Sequence, residues 1–289
     1  MCPDKLYAHS LPDKPKEQWQ SLEEHLRNVA EMAAEFAAAF SSASWGYLAG
    51  LWHDLGKYQL GFQRRLQGEQ VAIEHSGLGA AHAFEEFKSA GLPISYVIAG
   101  HHGQLPNWRA DEPGFPTPLT ERIQKNQPLI SSVLPSVPDE ICCIPSPVMP
   151  VHCANDKYSM EFWIRFLFSA LVDADWLDTE TFMNPQQAKL RGRYDSIDTL
   201  CQRLDDYVNK KMDALDPETR LSTVNSARKE VLDACRQAAT EPIGLFSLTA
   251  PTGAGKTLST MSFALRHASR NSLDRVIVVI PYTSIIEQN

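Results

Sequence analysis

Long apolar runs, a cysteine framework and an excess of basic residues are all missing from this sequence of 289 residues. No run of about 20 apolar residues occurs, so no membrane-spanning helix is predicted. Residues 1–17 contain no apolar segment, which predicts the absence of a signal peptide. The six cysteines form no CxxC pair, which predicts reduced thiols in a cytoplasmic protein.

Charge also limits the classes of ligand. Acidic residues outnumber basic ones by 35 to 27, and the formal net charge is -8. A chain with this balance does not attract a nucleic acid through its overall charge. Any polyanion must therefore be bound by a local basic patch or through bound cations.

The chain is longer than most single domains, so two domains are predicted. Helical patterns dominate the first two thirds, and Asp216-Pro217 interrupts them, which predicts a helical domain over 1–216 and a second segment over 217–289. Ten of the 19 prolines lie between Pro106 and Pro150. This concentration predicts an irregular insertion without long helices at about 104–155.

Six of the nine histidines fall between His25 and His102, and a His-Asp pair lies among them. His53-Asp54 comes at the end of a predicted helix, roughly 44–53, and Gly56 is the type of residue that usually follows a helix C-terminus. A compact set of histidine and aspartate side chains is the ligand chemistry of a transition-metal site.

Helical periodicity gives these side chains predicted positions. His25 falls on the apolar face of one helix, where a packed core histidine and a ligand are both open interpretations. Two glycines flank His101-His102 and allow the backbone to turn so that both rings point inward. Asp175 follows apolar residues by three and four positions, so it faces the core, whereas Asp173 diverges from it.

The sequence Thr252-Gly253-Ala254-Gly255-Lys256-Thr257 follows a predicted strand, 244–249, and precedes a predicted helix, 258–268. With a second predicted strand at 275–281, the pattern indicates a parallel βαβ unit with a P-loop. Backbone N–H groups of the loop would bind phosphates, Lys256 would reach the β- and γ-phosphates, and Thr257 would bind Mg²⁺. No Asp-Glu pair follows the loop, so we do not expect this chain alone to hydrolyse ATP.

The order of the histidines and aspartates resembles the HD superfamily of metal phosphohydrolases, through His25, His53-Asp54, His75, His101-His102 and Asp175. Together with a superfamily 2 P-loop and a segment at 280–288 that resembles helicase motif Ia, the whole chain resembles the CRISPR-associated HD nuclease-helicases of type I interference systems. The sequence of Leu171–Glu180 is most similar to that of the type I-C branch.

The resemblance implies a mostly α fold: an all-helical HD domain, followed by the start of a RecA-like α/β helicase domain. It also implies two adjacent divalent metal ions. The first would be bound by His25, His53, Asp54 and Asp175, and the second by Asp54, His75, His101 and His102. Mixed nitrogen and oxygen ligands favour Mn²⁺, Fe²⁺, Co²⁺ or Ni²⁺ over a closed structural Zn²⁺ site, and Mg²⁺ is a further candidate. Lys57 would stabilise the charge that develops on the phosphoryl group.

The function implied is a metal-dependent endo- or exonuclease of antiviral defence that cuts single-stranded DNA, coupled in the full-length protein to an ATP- and Mg²⁺-dependent helicase. An RNA-guided, Cascade-type surveillance complex would be its partner. Two alternatives remain open. The first is a phosphohydrolase of nucleotides or cyclic dinucleotides, and the P-loop argues against it because such an enzyme needs none. The second is a non-catalytic docking module for the surveillance complex, and the complete set of metal ligands argues against it.

Overall fold

The computed structural model describes residues 5–71, 73–109, 117–150, 153, 156–192 and 194–279. The chain is mostly helical and divides into two compact units, Met1–Arg191 and Gly192–Asn289. Within the described ranges, every helix is too short or too polar to cross a membrane.

The first unit begins with a short antiparallel ladder and continues as helices. Strands β1 (Tyr7–His9) and β2 (Gln20–Ser21) form the ladder; they are too short for an alternating pattern, so the sequence did not predict them. The helices are α1 (Leu22–Ala38), α2 (Ala43–Trp52), α3 (Leu60–Leu66), α4 (Ser76–Phe87), α5 (Leu92–Gly100), α6 (Leu119–Val133), α7 (Asp139–Cys142), α8 (Lys157–Met183) and α9 (Pro185–Ala188).

One apolar core joins these helices, apart from α3 and α9, and polar residues lie within it. Helix α1 packs against α2 and α8, and α4 packs against α5 and α6. On α1, His25 is buried between Leu22 and Leu26, on the predicted apolar face. On α8, Asp175 is buried next to Ala174, whereas Asp173 is exposed. The helical phase therefore predicted the inward faces of both helices correctly.

The proline-rich segment contains a long helix, so the prediction of an insertion without long helices was wrong. Helix α6 has 15 residues, and its buried residues form one stripe that packs against α4: Leu119, Ile123, Asn126, Ile130 and Val133. Only one of the ten prolines, Pro128, lies within α6, on its exposed side. Burial of the stripe outweighs the roughly 3 kcal/mol that a proline costs inside a helix.

The second unit contains helices α10 (Ile197–Asp213), α11 (Pro217–Arg220), α12 (Thr223–Ala238) and α13 (Lys256–Arg270). Helix α10 packs against α13. The carboxylate of Asp205 on α10 pairs with Arg236 of α12 at 2.7 Å and with Arg266 of α13. These contacts explain why the compact units divide before α10, whereas the sequence placed its break at Asp216-Pro217.

The two strands predicted beside the P-loop are absent from the residues that the structure describes. Residues 244–249 and 275–279 have no regular secondary structure, and the rest of the second run lies outside the described ranges with the segment that resembles motif Ia. A strand requires backbone hydrogen bonds to a neighbour, and no described segment pairs with either run. Leu245, Ile277 and Val279 are consequently exposed, at 102%, 77% and 87%.

We expect Gly79→Ala to destabilise the first unit by about 1–3 kcal/mol. A Cβ atom at Gly79 would overlap the backbone carbonyl oxygen of Trp52, and a backbone atom cannot rotate away as a side chain can. The measurement is chemical denaturation of the metal-free protein. Gly103→Ala is the control, since a Cβ atom there would meet nothing within 4 Å. Equal losses of stability in the two variants would contradict the interpretation.

Candidate metal centre

The Asp54 carboxylate lies at the centre of a cluster of imidazoles. It is fully buried, and its two oxygen atoms face different sets of side chains. Oδ2 lies 3.2 Å from Nε2 of His53 and 3.4 Å from Nε2 of His25. Oδ1 lies 3.6 Å from Nε2 of His75 and 3.6 Å from Nε2 of His101. One carboxylate thus separates two groups of potential ligands.

The group beside Oδ2, here the first position, also contains Asp175. Its Oδ1 lies 3.5 Å from Nε2 of His25 and 3.6 Å from Nε2 of His53. Helices α1 and α8 and the end of α2 supply these atoms, so residues far apart in sequence converge. The structure brings together all four side chains that the resemblance assigned to the first ion.

The group beside Oδ1, here the second position, contains His75, His101 and His102. Nε2 of His75 and Nε2 of His102 lie 2.7 Å apart. Ligand atoms of Asp54, His101 and His102 all lie within 4.8 Å of one another. His101 is buried but His102 is exposed, so only one of the two rings is enclosed. Neither flanking glycine has a positive φ, so this turn does not depend on a left-handed conformation.

Three histidines are held with Nε2 free to bind a cation. The Nδ1–H group of His25 donates a hydrogen bond to Asp178 at 2.6 Å. The Nδ1–H group of His53 donates to the Gly50 carbonyl at 2.7 Å, and that of His101 donates to the Ile98 carbonyl at 2.6 Å. In a neutral imidazole whose proton is on Nδ1, Nε2 carries the lone pair. Metal-binding histidines are usually oriented in this way.

The buried polar atoms at the centre are not satisfied by the protein alone. Nε2 of His25, His53 and His101 and Oδ1 of Asp54 are buried without a hydrogen-bond partner. An unsatisfied buried polar group costs about 1–3 kcal/mol, and cations bound between these four atoms would satisfy them. Nitrogen and carboxylate oxygen donors suit first-row divalent ions. The residues present therefore fit the implied metal ions.

Lys57 is the nearest cation to Asp54 within the described residues. Its ammonium is buried and lies 2.6 Å from Oδ2 of Asp54 and 3.4 Å from Nε2 of His9. The short 3₁₀ helix Leu55–Tyr58 turns Lys57 back towards Asp54. The spacing to Asp54 predicted this proximity, while the action of Lys57 on a phosphoryl group stays a prediction.

Gly56 has a different role from the one predicted. Helix α2 ends at Trp52, and Gly56 lies within the following 3₁₀ helix without a positive φ. It is therefore not a left-handed helix terminator. A Cβ atom at Gly56 would overlap the backbone of His75. Glycine is required here because two ligand-bearing segments touch through their main chains.

The carboxylates change the proton affinity of the first position. Burial disfavours the His53 imidazolium, but the charges and hydrogen bonds of Asp54 and Asp175 outweigh burial and raise the pKa of His53 to about 10. Burial likewise disfavours the Asp54 anion, but Lys57 and His53 outweigh it and hold the pKa of Asp54 well below its usual range. The metal-free centre therefore binds a proton where a metal ion would bind.

Sequence reasoning missed Asp178. It lies on α8, one turn after Asp175 and on the same buried face, and it accepts the hydrogen bond from His25. Burial disfavours its anion, but hydrogen bonds from His25, Asn28 and Gln20 outweigh burial and lower the pKa of Asp178. The available signal was the spacing of three residues from Asp175, which keeps both carboxylates on one helical face.

The predicted P-loop, residues 252–257, lies at the start of α13. Gly253 and Gly255 have φ values of 85° and 76°, a conformation that favours glycine. The Lys256 ammonium donates to the carbonyl groups of Ala250 and Pro251 at 2.8 and 3.3 Å. Arg228 donates to the Gly253 carbonyl at 2.9 Å. The positive φ values are compatible with a loop whose N–H groups bind an anion, while ATP binding stays a prediction.

We expect Asp54→Asn to abolish metal binding at both positions, because each oxygen of Asp54 faces one group of ligands. The protein would be loaded with Mn²⁺ or Co²⁺ and gel-filtered, and its metal content would be measured by mass spectrometry. The wild type should retain two ions per chain. Asp173→Asn, an exposed control on α8, should retain two as well. Two ions retained by Asp54→Asn would refute the assignment of Asp54 as a bridge.

We expect metal binding to release about one proton per chain at pH 8. With a pKa of about 10, His53 is protonated at pH 8, whereas an ordinary histidine with a pKa of about 6.5 is neutral there. A metal ion binds only the neutral ring, so affinity should rise with pH up to about 10. Calorimetry in two buffers of different ionisation enthalpy counts the protons. Asp175→Asn should release fewer, and an absence of release from the wild type would contradict the raised pKa.

Two family models match separate parts of the chain. A model described as HD domain matches residues 22–127, and one described as Type III restriction enzyme, res subunit, matches residues 222–289. The first range contains every proposed ligand except Asp175, and the second contains the P-loop. A search of the curated proteins finds no match. The chain therefore carries an HD domain, the domain of metal-dependent phosphohydrolases, followed by a helicase-type segment.

Proposed function

We propose that this chain is part of an HD nuclease-helicase of type I CRISPR interference and that its HD domain hydrolyses phosphodiester bonds in single-stranded DNA. One observation carries the proposal: the two oxygens of the buried Asp54 face two separate groups of ligand atoms. A carboxylate in that position can bridge two ions. Paired ions about 3.5–4 Å apart are typical of enzymes that cleave phosphate esters.

Divalent ions bound at the two positions would polarise the phosphate and lower the pKa of water. The protein's own groups hold and surround them. His25 and His53 present Nε2 towards the first position, and the carbonyl of Gly50 fixes the proton of His53 on Nδ1. The buried Lys57 ammonium lies 2.6 Å from Asp54, and it would stabilise the negative charge that develops on a phosphoryl group bound beside Asp54.

The exposure of the ligands indicates how a phosphate would enter. His25, His53, Asp54 and His101 are enclosed. The side chains of His75 and Asp175 are 17% and 13% exposed, and His102 is exposed. A substrate would therefore approach across the edge formed by His75, His102 and Asp175. Because the chain is acidic overall, bound cations would supply much of the attraction for a polyanion.

The helicase-type segment favours a polynucleotide over a free nucleotide, because a translocase acts on strands. The single-stranded form of the DNA, the RNA-guided surveillance complex as partner and the cytoplasmic location rest on the resemblance of the sequence motifs. The unsatisfied ligand atoms argue against a purely docking function, since burying four such atoms without a ligand would only destabilise the domain.

We expect the chain to cut single-stranded DNA in the presence of Mn²⁺, Co²⁺ or Ni²⁺ without ATP. A gel assay would compare single-stranded DNA, duplex DNA, mononucleotides and cyclic dinucleotides. His53→Ala should abolish cleavage through loss of the first ion. Lys57→Met should retain the ions and lower kcat about 100-fold, the usual effect of removing one electrostatic contact to the reacting group.

Asp173→Asn is the matched control and should cleave at the wild-type rate. Preferential hydrolysis of cyclic dinucleotides or mononucleotides would replace the nuclease with the small-molecule phosphohydrolase. Full metal content with no hydrolysis of any substrate in the panel would favour the docking module.

A further inference from the structure

Three side chains donate hydrogen bonds to one buried carboxylate behind the first position. Asp178 is 4% exposed. Its Oδ2 accepts from Nε2 of Gln20 at 2.6 Å and from Nδ1 of His25 at 2.6 Å, and its Oδ1 accepts from Nδ2 of Asn28 at 2.8 Å. The donors lie on β2 and α1, and the acceptor lies on α8. The carboxylate is therefore held on both oxygens.

The histidines of the centre differ in what supports them. A charged carboxylate supports His25, whereas backbone carbonyls support His53 and His101. Nδ1 of His75 is buried without any hydrogen-bond partner. A carboxylate behind a ligating imidazole fixes the ring and makes its other nitrogen a stronger donor to a metal ion.

The two positions consequently differ in how far their imidazole rings are already fixed before a metal ion binds. Both imidazoles of the first position are buried and fixed before an ion binds. At the second position, His102 is exposed, Nδ1 of His75 has no hydrogen-bond partner, and the two rings contact each other through Nε2 at 2.7 Å. An ion that binds both rings must break this contact and order the exposed ring, which costs free energy.

We propose that Asp178 is a positioning residue that fixes His25 with its proton on Nδ1 and Nε2 directed at Asp54, and thereby makes the first position bind metal more tightly than the second. The inference rests on the two-ion centre in the proposed function. Asp178 does not contact the ion itself in this account, since His25 lies between them.

The test is a calorimetric titration of the metal-free protein with Mn²⁺. The wild type should bind two ions with separate affinities. Asp178→Ala should weaken the tighter step about 10–100-fold, the usual effect of losing such a partner, and should leave the weaker step unchanged. Asp178→Asn keeps the volume of the side chain and one acceptor oxygen, so it should fold and show a smaller loss. Asp173→Asn, on the exposed face of α8, should match the wild type.

A second readout reports the position of the proton without any metal. In ¹⁵N NMR spectra, His25 of the metal-free wild type should show one tautomer, with the proton on Nδ1, and Asp178→Asn should show a weaker preference. An unchanged tighter step in both Asp178 variants would overturn the proposal. So would equal losses at both steps accompanied by a lower Tm, because that result indicates a structural role only.

These outcomes remain separate from those of the proposed function. A wild type that binds two ions in sequence but cuts no DNA would refute the nuclease and leave the role of Asp178 intact. A wild type that binds two ions with equal affinity would refute the ordering of the two positions even if the nuclease is active.

Discussion

The structure of the HD domain depends on the burial of one carboxylate. Asp54 has no exposed surface, and an isolated buried charge would be too costly to tolerate. Four imidazoles surround it, from α1, the end of α2, the start of α4 and the end of α5, together with the Lys57 ammonium from the 3₁₀ helix Leu55–Tyr58. The packing of these helices and the geometry of the site therefore depend on each other, because the elements that form the core also bring the ligands to Asp54.

Helical phase predicted the inward faces around this centre because it is a local signal, whereas the set of ligands came from the resemblance to a known family. Helical phase placed His25 and Asp175 on buried faces and Asp173 outside, and the structure agrees. What the sequence did not reveal was the support behind the ligands. The bond from His25 to Asp178 joins residues 153 positions apart, and no local pattern encodes a pair of that kind. The carbonyl partners of His53 and His101 are also invisible in sequence, because every residue has a carbonyl.

The wrong predictions share one cause, which is that the structure of a segment depends on what packs against it. Prolines indicate irregular structure locally, yet the burial of the apolar stripe on α6 outweighs Pro128. In the second unit, apolar runs indicate strands, but a strand forms only with a partner. Residues 244–249 and 275–279 therefore leave apolar side chains such as Leu245 and Val279 exposed. Helices α10, α12 and α13, which satisfy their own backbone groups, form without that partner.

The two close contacts at glycine have a consequence for the segments that carry the ligands. Gly56, two residues after Asp54, touches the backbone of His75, and Gly79, four residues after His75, touches the backbone carbonyl of Trp52. The segments 52–56 and 75–79 therefore touch twice, through main-chain atoms that cannot change rotamer. The distance between the backbones that carry Asp54 and His75 is accordingly fixed by main-chain packing. Replacing either ligand side chain would remove its donor atom, while the two segments would stay at the same separation.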